Sequence, residues 1–151
     1  MATSLASLVL KPGREKSLKR RHPWVFSGAI AQVKGAAEPG ATVRVVGASG
    51  EFLALAAYSP QSQIVARVWS FDEHDVIDAK FIKTRIAASI ARRELLFEPQ
   101  RGQASGPASE RISNAMRLVH AESDGLPALI VDRYAGTLAV QFLSAGIDAW
   151  R

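Results

Sequence analysis

Apolar and polar residues alternate along several short stretches in the first half of the chain. Residues 42–45 alternate in this way. After a Ser-Pro-Gln turn, residues 64–71 place an apolar side (Ile64, Ala66, Val68) opposite a side that carries Val65, Arg67 and Trp69. A period of two is typical of β-strands, because successive side chains of a strand point to opposite faces. Two further short strands are expected at Ser7–Leu10 and Phe52–Tyr58. Strands this short and this regularly separated by turns predict a small barrel.

The second half of the chain opens with a helical pattern. Apolar residues recur at spacings near three and four over residues 79–97, which predicts an amphipathic helix. Four carboxylates precede this helix and suit the positive end of its dipole. They belong to Asp72, Glu73, Asp75 and Asp78. Residues 98–109 are rich in glycine and proline and predict a mobile loop.

Three more strands are expected after that loop, at residues 116–121, 127–134 and 137–143. Ala135 and Gly136 favour a tight hairpin between the last two. Residues 147–151 have the composition of the first turn of a helix, which is unstable at that length, so the chain is expected to be part of a larger protein. The change of pattern predicts a domain boundary near residue 75 and an α+β, β-rich fold.

Composition narrows the class of protein. At 151 residues, 48% of them hydrophobic, the chain can bury one core or two small ones. It has no cysteine and no apolar run near the ~20 residues that a membrane span requires. These features argue against secretion, disulfides and membrane insertion, and the expected location is the cytoplasm. Without cysteine, this chain cannot form a cysteine-based zinc site or supply a thiolate nucleophile.

The net charge of +5 is concentrated in residues 11–22, which we call the basic segment. This segment has six lysines and arginines against Glu15 alone, and the rest of the chain is balanced. A short helix is expected over residues 14–20, closed by Pro23. Such a cationic face beside aromatic residues points to a polyanion, and RNA is the first candidate. The predicted RNA-binding residues are Lys11, Arg14, Lys16, Lys19, Arg20, Arg21, His22 and Trp24.

Each of these residues has a structural alternative. The basic residues would contact phosphates, while His22 and Trp24 would stack on or hydrogen-bond with an unpaired base. Alternatively, the basic segment is a solvated helix face, and Trp24 and Phe26 are core residues of the barrel. For Trp24, packing in the core is the favoured interpretation, because a lone aromatic residue beside strand-like residues usually packs.

The remaining candidate residues favour structural roles. Glu122 and Asp124 could act as acid and base or bind a cation, but Asp124-Gly125 is equally a turn signal, and a turn is favoured. Asp132 and Arg133 are expected to pair across the hairpin. The histidines lack metal-ligand spacing, and no glycine-rich phosphate loop or nucleophile motif occurs. No catalytic, cofactor-binding or metal site is therefore predicted in this chain.

Three blocks resemble one family in their sequence and order. They read LVLKPGREKSLKRRHPWVFSGAI over residues 8–30, AYSPQSQIVARVW over residues 57–69, and AESDGLPALIVDRY over residues 121–134. These blocks are similar to the N-terminal part of bacterial 23S ribosomal RNA cytosine-5 methyltransferases, which depend on S-adenosylmethionine.

The resemblance implies a modular enzyme. Residues 1–75 would contain a PUA domain, a small RNA-binding pseudobarrel, over roughly residues 6–75. Residues 76–151 would begin a central α+β domain, a long helix with antiparallel strands, which is incomplete at Arg151. The Rossmann-like domain that binds S-adenosylmethionine and carries the catalytic cysteine would lie outside this chain.

The resemblance therefore predicts that this chain binds and positions 23S ribosomal RNA, holds no cofactor itself and is not catalytic alone. Two other hypotheses remain open. One is a stand-alone RNA-binding or ribosome-associated module, for which the same basic face suffices. The other is a homo-oligomer formed through the hairpin over residues 127–143, whose edge strand could pair with a second copy.

Overall fold

The computed structural model describes residues 5–101 and 114–151, which form nine strands, three α-helices and two short 3₁₀ turns. In chain order the elements are β1 (Ser7–Leu10), α1 (Lys16–Lys19), β2 (Trp24–Phe26), the 3₁₀ turn Ser27–Ala29, β3 (Ile30–Lys34), β4 (Thr42–Val46), β5 (Phe52–Tyr58), β6 (Ile64–Ser70), α2 (Ala79–Arg101), β7 (Ala115–His120), the 3₁₀ turn Ala121–Asp124, β8 (Leu129–Tyr134), β9 (Thr137–Phe142) and α3 (Ala145–Asp148).

The first six strands form one curled sheet in the order β2-β6-β5-β4-β1-β3. Neighbours are antiparallel except β1 and β4, which run parallel. Leu8, Leu10, Val43 and Val45 are buried within the curl, as the period-two pattern requires. The predicted small barrel is thus confirmed in the form of a half-barrel, and the predicted α+β, β-rich fold class is confirmed with it.

The last three strands form a second, antiparallel sheet in the order β7-β8-β9. Ala57 and Trp69 of the first sheet pack into the same apolar cluster as Val119 and Leu129 of the second. Helix α3 contacts β5 so closely that a Cβ added at Gly146 would lie 2.2 Å from the Cβ of Ala57. The two sheets therefore share a buried interface.

Several local predictions need correction. Helix α2 continues to Arg101, four residues past its predicted end, and residues 102–109 of the predicted loop lie outside the described residues. Helix α1 is a single turn, shorter than residues 14–20. Asp132 and Arg133 do not meet charged partners across the hairpin, where their register partners are Ala139 and Leu138. Asp132 instead accepts two hydrogen bonds from Arg117, its register partner on β7, at 2.8 and 3.0 Å.

Two strands were not predicted at all, β2 and β3. Their residues show little local alternation, and β3 is an exposed edge strand. The start of α2 follows the predicted chemistry, because Oδ1 of Asp78 accepts a 2.8 Å hydrogen bond from the backbone N–H of Phe81. No helix within the described residues is long and apolar enough to cross a membrane.

Candidate nucleic-acid interface

The basic segment folds around one buried side chain. Leu18 on α1 points into the core of the first sheet, and its exposed neighbours Lys16, Lys19 and Arg20 point away from it. Arg21 follows with a φ of 63°, a left-handed conformation that ends the helical turn and is rare for a residue with a side chain. As a result, all six basic side chains of the segment lie on the surface.

Most of this positive charge is not neutralised within the described residues. Lys19 makes the segment's one ion pair there, with Glu51 at 3.4 Å, and that pair is solvent-exposed and therefore weak. Lys11 donates a 3.0 Å hydrogen bond from Nζ to the carbonyl of Gly28. The guanidinium carbon of Arg21 lies 4.9 Å from the centre of the Phe71 ring. This cation–π contact leaves the positive charge of Arg21 unneutralised, because the ring carries no net charge.

The structure brings three of the predicted RNA-binding residues together: Arg14, His22 and Trp24. Nδ1 of His22 accepts a 3.2 Å hydrogen bond from the backbone N–H of Trp24, and the two rings pack edge to face at 5.7 Å. Arg14 lines a 240 Å³ groove together with Trp24 and Phe26. The structure therefore places the basic segment beside an aromatic groove.

The interpretation of Trp24 and Phe26 as core residues is wrong. Their side chains are 36% and 48% exposed, and the rings pack edge to face at 6.5 Å. Because Val25 between them points into the core, the alternation of β2 directs both aromatic side chains outward. Phe26 is a candidate contact that the sequence interpretation missed, because residues 24–26 are all apolar and only the pairing of β2 with β6 sets which side chains face outward.

Glu122 holds the orientation of this aromatic face. Its Oε1 accepts a 2.8 Å hydrogen bond from Nε1 of Trp24 and lies 3.8 Å from Nε of Arg67. Arg67 is the register partner of Trp24 on β6, so the two side chains leave the same face of the sheet. Glu122 belongs to the 3₁₀ turn after β7, and the second half of the chain thus contributes to the site.

Asp124 has a structural role, in agreement with the favoured interpretation. Arg93 donates two hydrogen bonds to its carboxylate, at 2.7 and 2.9 Å, and Arg92 and the backbone N–H of His120 donate one each. Burial alone would raise the pKa of Asp124, but these hydrogen bonds, led by those from Arg93, outweigh it and hold the pKa well below its usual range. A carboxylate so stabilised in its charged form is a poor proton acceptor.

A second cleft adjoins the aromatic face. It has a volume of 460 Å³, and its lining includes Arg21, Arg85 and Glu122. Arg85 on α2 stacks over the Phe81 ring at 4.2 Å and donates a 3.0 Å hydrogen bond to the carbonyl of Gly125. Among residues 5–101 and 114–151, no group of three or more His, Asp or Glu side chains could hold a metal ion.

Comparison with known families defines the class of the first sheet. Residues 8–71 match a family model described as a PUA-like domain, which agrees with the curled sheet that these residues form. Residues 8–71 are therefore similar to PUA-like domains in sequence, and they form a curled, half-barrel sheet.

Comparison with individual proteins is more specific. The chain is 49% identical over 142 residues to ribosomal RNA large subunit methyltransferase I of Shewanella amazonensis, covering 94% of this chain and 33% of that protein. It is 46% identical over 144 residues to the protein of the same name from Cronobacter sakazakii, covering 95% and 34%. The chain thus spans about a third of the length of the curated relatives it matches. The resemblance to ribosomal RNA methyltransferases is confirmed.

A solved structure supports the fold. A candidate SAM-dependent methyltransferase from Streptococcus mutans superposes with a TM-score of 0.73 at 16% identity, covering 96% of this chain and 35% of that one. At this level of identity, the likeness concerns the fold.

Proposed function

We propose that this chain is the RNA-binding N-terminal portion of a ribosomal RNA (cytosine-5) methyltransferase, and that it binds and positions RNA without being catalytic alone. The observation that carries the proposal is the juxtaposition of unneutralised cations with outward-facing aromatic rings. Arg14, Lys16 and Arg20 have no ion pair within the described residues, and Arg14 lines a groove together with Trp24 and Phe26. Proteins commonly hold unpaired RNA with cationic side chains that contact the phosphates and aromatic rings that stack on the bases.

The chemistry divides between the two parts of this face. The basic side chains supply affinity that does not depend on sequence, because each phosphate contact releases counterions. Trp24 and Phe26 supply π-faces for unpaired bases. If four of the six cations contact phosphate, the logarithm of the affinity falls with the logarithm of the salt concentration at a slope of roughly −3.

We also propose the organisation of the whole protein. Residues 1–75 form the RNA-binding domain, and residues 76–151 begin the central α+β domain that orients the RNA. S-adenosylmethionine is held by a catalytic domain outside this chain. The substrate is 23S ribosomal RNA, and the protein works in the cytoplasm. The supporting findings are the names and the length of the curated relatives.

The salt dependence of binding tests the proposal. The double variant Lys16→Ala/Arg20→Ala removes two unpaired charges of the basic segment, and Lys80→Ala/Lys83→Ala removes two exposed charges from α2 as a matched control. Fluorescence anisotropy with labelled 23S RNA fragments should show weaker binding and a slope reduced by about 1 to 2 for the first variant. An equal loss of RNA affinity in both variants would show that binding depends only on the net charge of the chain and would contradict a specific role of the basic segment.

A methyl-transfer assay tests the division of labour. The chain incubated with unmodified 23S RNA and labelled S-adenosylmethionine should transfer no methyl group. Reproducible methylation would overturn the domain organisation proposed here.

A second copy of the chain is the partner we propose for the hairpin of β8 and β9. Strand β9 is an edge strand, and Leu138 and Val140 on it are exposed. Such an edge can pair with another strand. Light scattering at several protein concentrations should show a rise in mean mass, and a constant monomer mass would exclude this partner.

A further inference from the structure

The cleft that adjoins the aromatic face lies between the two halves of the chain and has a volume of 460 Å³. The first half contributes Arg21, Pro23 and residues 68–72 to its lining, and the second half contributes Arg85 and part of the turn over residues 121–125. Arg21 belongs to the basic segment, whereas Arg85 lies on α2. Each half therefore brings one guanidinium group to the same cleft.

The guanidinium of Arg85 is held in place by its neighbours. It stacks over the Phe81 ring at 4.2 Å, and its Nη1 donates a 3.0 Å hydrogen bond to the carbonyl of Gly125. A Cβ added at Gly125 would collide with that Nη1, so a side chain there would displace the guanidinium. Arg85 is thus positioned before any ligand arrives, which lowers the entropy cost of binding one.

Neither guanidinium is neutralised by a carboxylate. Over residues 5–101 and 114–151, Arg21 and Arg85 make no ion pair. Arg85 is partly buried, and this burial lowers its pKa, while the charge of Asp75 acts in the opposite direction. A partly buried cation without a paired carboxylate costs free energy, because it loses water without gaining a partner. Such a cation in a cleft is a candidate for binding an anion.

The backbone of Arg21 is strained at the edge of the same cleft. Its φ of 63° lies in the left-handed region, which is unfavourable for a residue with a side chain. Strained positions of this kind are concentrated at functional sites. The side chain contacts the ring of Phe71, which also lines the cleft, so its positive charge stays available to a ligand.

Two carboxylates in the lining decide what kind of anion can bind. Oδ1 of Asp72 accepts a 2.9 Å hydrogen bond from the backbone N–H of His74. Glu122 contacts Trp24 and Arg67. Their negative charges oppose the binding of a free anion. A phosphate of a strand that is already bound nearby enters the cleft at a high effective concentration, and its binding here is therefore favoured over that of a free anion.

We propose that the RNA strand held by the basic segment continues through this cleft and that its phosphates contact Arg85 as well as Arg21. The inference rests on the proposed function, since the basic segment must hold the strand first. The cleft adjoins the aromatic face through Glu122, which lines the cleft and hydrogen-bonds with Trp24. Guanidinium groups suit phosphates because they donate several hydrogen bonds in one plane. Arg85 is thus a positioning contact that the second half of the chain supplies to the RNA.

Fluorescence anisotropy with labelled 23S RNA fragments tests the contact on α2. Arg85→Ala should weaken binding roughly three- to tenfold and reduce the salt slope by about 0.7, the value for one phosphate contact with a single strand. Arg85→Lys should keep most of that slope, because the charge remains. Lys83→Ala is the matched control, since the exposed Lys83 lies about 200° away around α2, and it should change both quantities little.

A second measurement separates RNA contact from a merely structural role. In the ¹⁵N-labelled chain, the side-chain Nε–Hε signals of Arg21 and Arg85 should both shift when the RNA is added. The corresponding signal of Arg151 should stay in place. Arg151 is a suitable control because it also stacks on an aromatic ring, that of Phe142, but is ion-paired with Asp148.

Each contrary outcome has a distinct meaning. The inference is overturned if Arg85→Ala binds RNA as tightly as the unchanged chain, if Lys83→Ala loses as much affinity as Arg85→Ala, or if the Arg85 signal does not respond to RNA. A loss of affinity in Lys16→Ala/Arg20→Ala without a loss in Arg85→Ala would remove this inference and leave the proposed function standing. An absence of RNA binding by the unchanged chain would remove both.

Discussion

The indole Nε1 of Trp24 donates a 2.8 Å hydrogen bond to Oε1 of Glu122, which lies 98 positions further along the chain. Trp24 stands on the outward face of the first sheet, and Glu122 lies in a turn of the second half. The hydrogen bond therefore connects the candidate RNA-binding face to the part of the chain that begins the proposed central domain. A change in the contact between the two halves would alter the position of the indole ring.

A double-mutant cycle measures this connection. Trp24→Phe keeps the ring but removes the N–H donor, and Glu122→Ala removes the acceptor. Urea denaturation should show that the two substitutions are not additive, with a coupling energy of about 1 kcal/mol, because the acceptor is charged but the site is partly exposed. Glu122→Gln should retain part of that energy. As a control, Glu38→Ala takes the place of Glu122→Ala in the cycle. Glu38 is exposed, and its effect on the free energy of unfolding should add to that of Trp24→Phe.

The two tryptophans Trp24 and Trp69 should respond oppositely to substitution by alanine. Trp69 is 2% exposed, so Trp69→Ala should reduce the free energy of unfolding by about 3–5 kcal/mol. Trp24→Ala should cost much less stability and should weaken RNA binding by about 1–3 kcal/mol for one lost stacking contact. Thermal unfolding and anisotropy measure the two effects. A large stability loss for Trp24→Ala with unchanged RNA affinity would remove Trp24 from the interface.

Asp124 should make the stability of the chain sensitive to acid. Because folding lowers its pKa below the ordinary value of 3.8, its contribution is complete above that value and is lost as the pH falls. The free energy of unfolding should therefore decrease below about pH 4. Asp124→Asn should lower stability at neutral pH, since Arg93 loses a buried partner, and should show a smaller further decrease in acid. The exposed pair of Asp148 and Arg151 supplies the control, and Asp148→Asn should keep the acid response.

Gly146 tests the shared interface between the sheets. A side chain there would lie 2.2 Å from the Cβ of Ala57 and 3.5 Å from the Trp69 ring, so Gly146→Ala should destabilise the fold by about 1–3 kcal/mol. Gly136 in the hairpin has nothing within 4 Å of an added Cβ, and Gly136→Ala should change stability little. Chemical denaturation of both variants measures the difference. Equal stabilities would mean that α3 can move away from β5 without cost.

Much of the fold could be predicted because its signals are local. The bounds of β1 and β5 agree with the prediction. The alternation or turn residues that define these strands lie within a few residues of them in the sequence. Strand β3 could not be predicted in this way, because its side chains are largely exposed and its pairing with β1 alone defines it. The pairing of Asp132 with Arg117 was likewise invisible, because register between distant strands sets it.

By itself, the sequence determined the location of the basic segment, the strand-rich character of the chain and its resemblance to ribosomal RNA methyltransferases. These properties depend on the identity and short-range order of residues. Only the tertiary structure decided that Trp24 faces outward, that Glu122 meets it, and that Arg21 and Arg85 line one cleft. The physical reason is that burial, side-chain direction and hydrogen-bond partners depend on contacts between residues far apart in the chain, which no local pattern records.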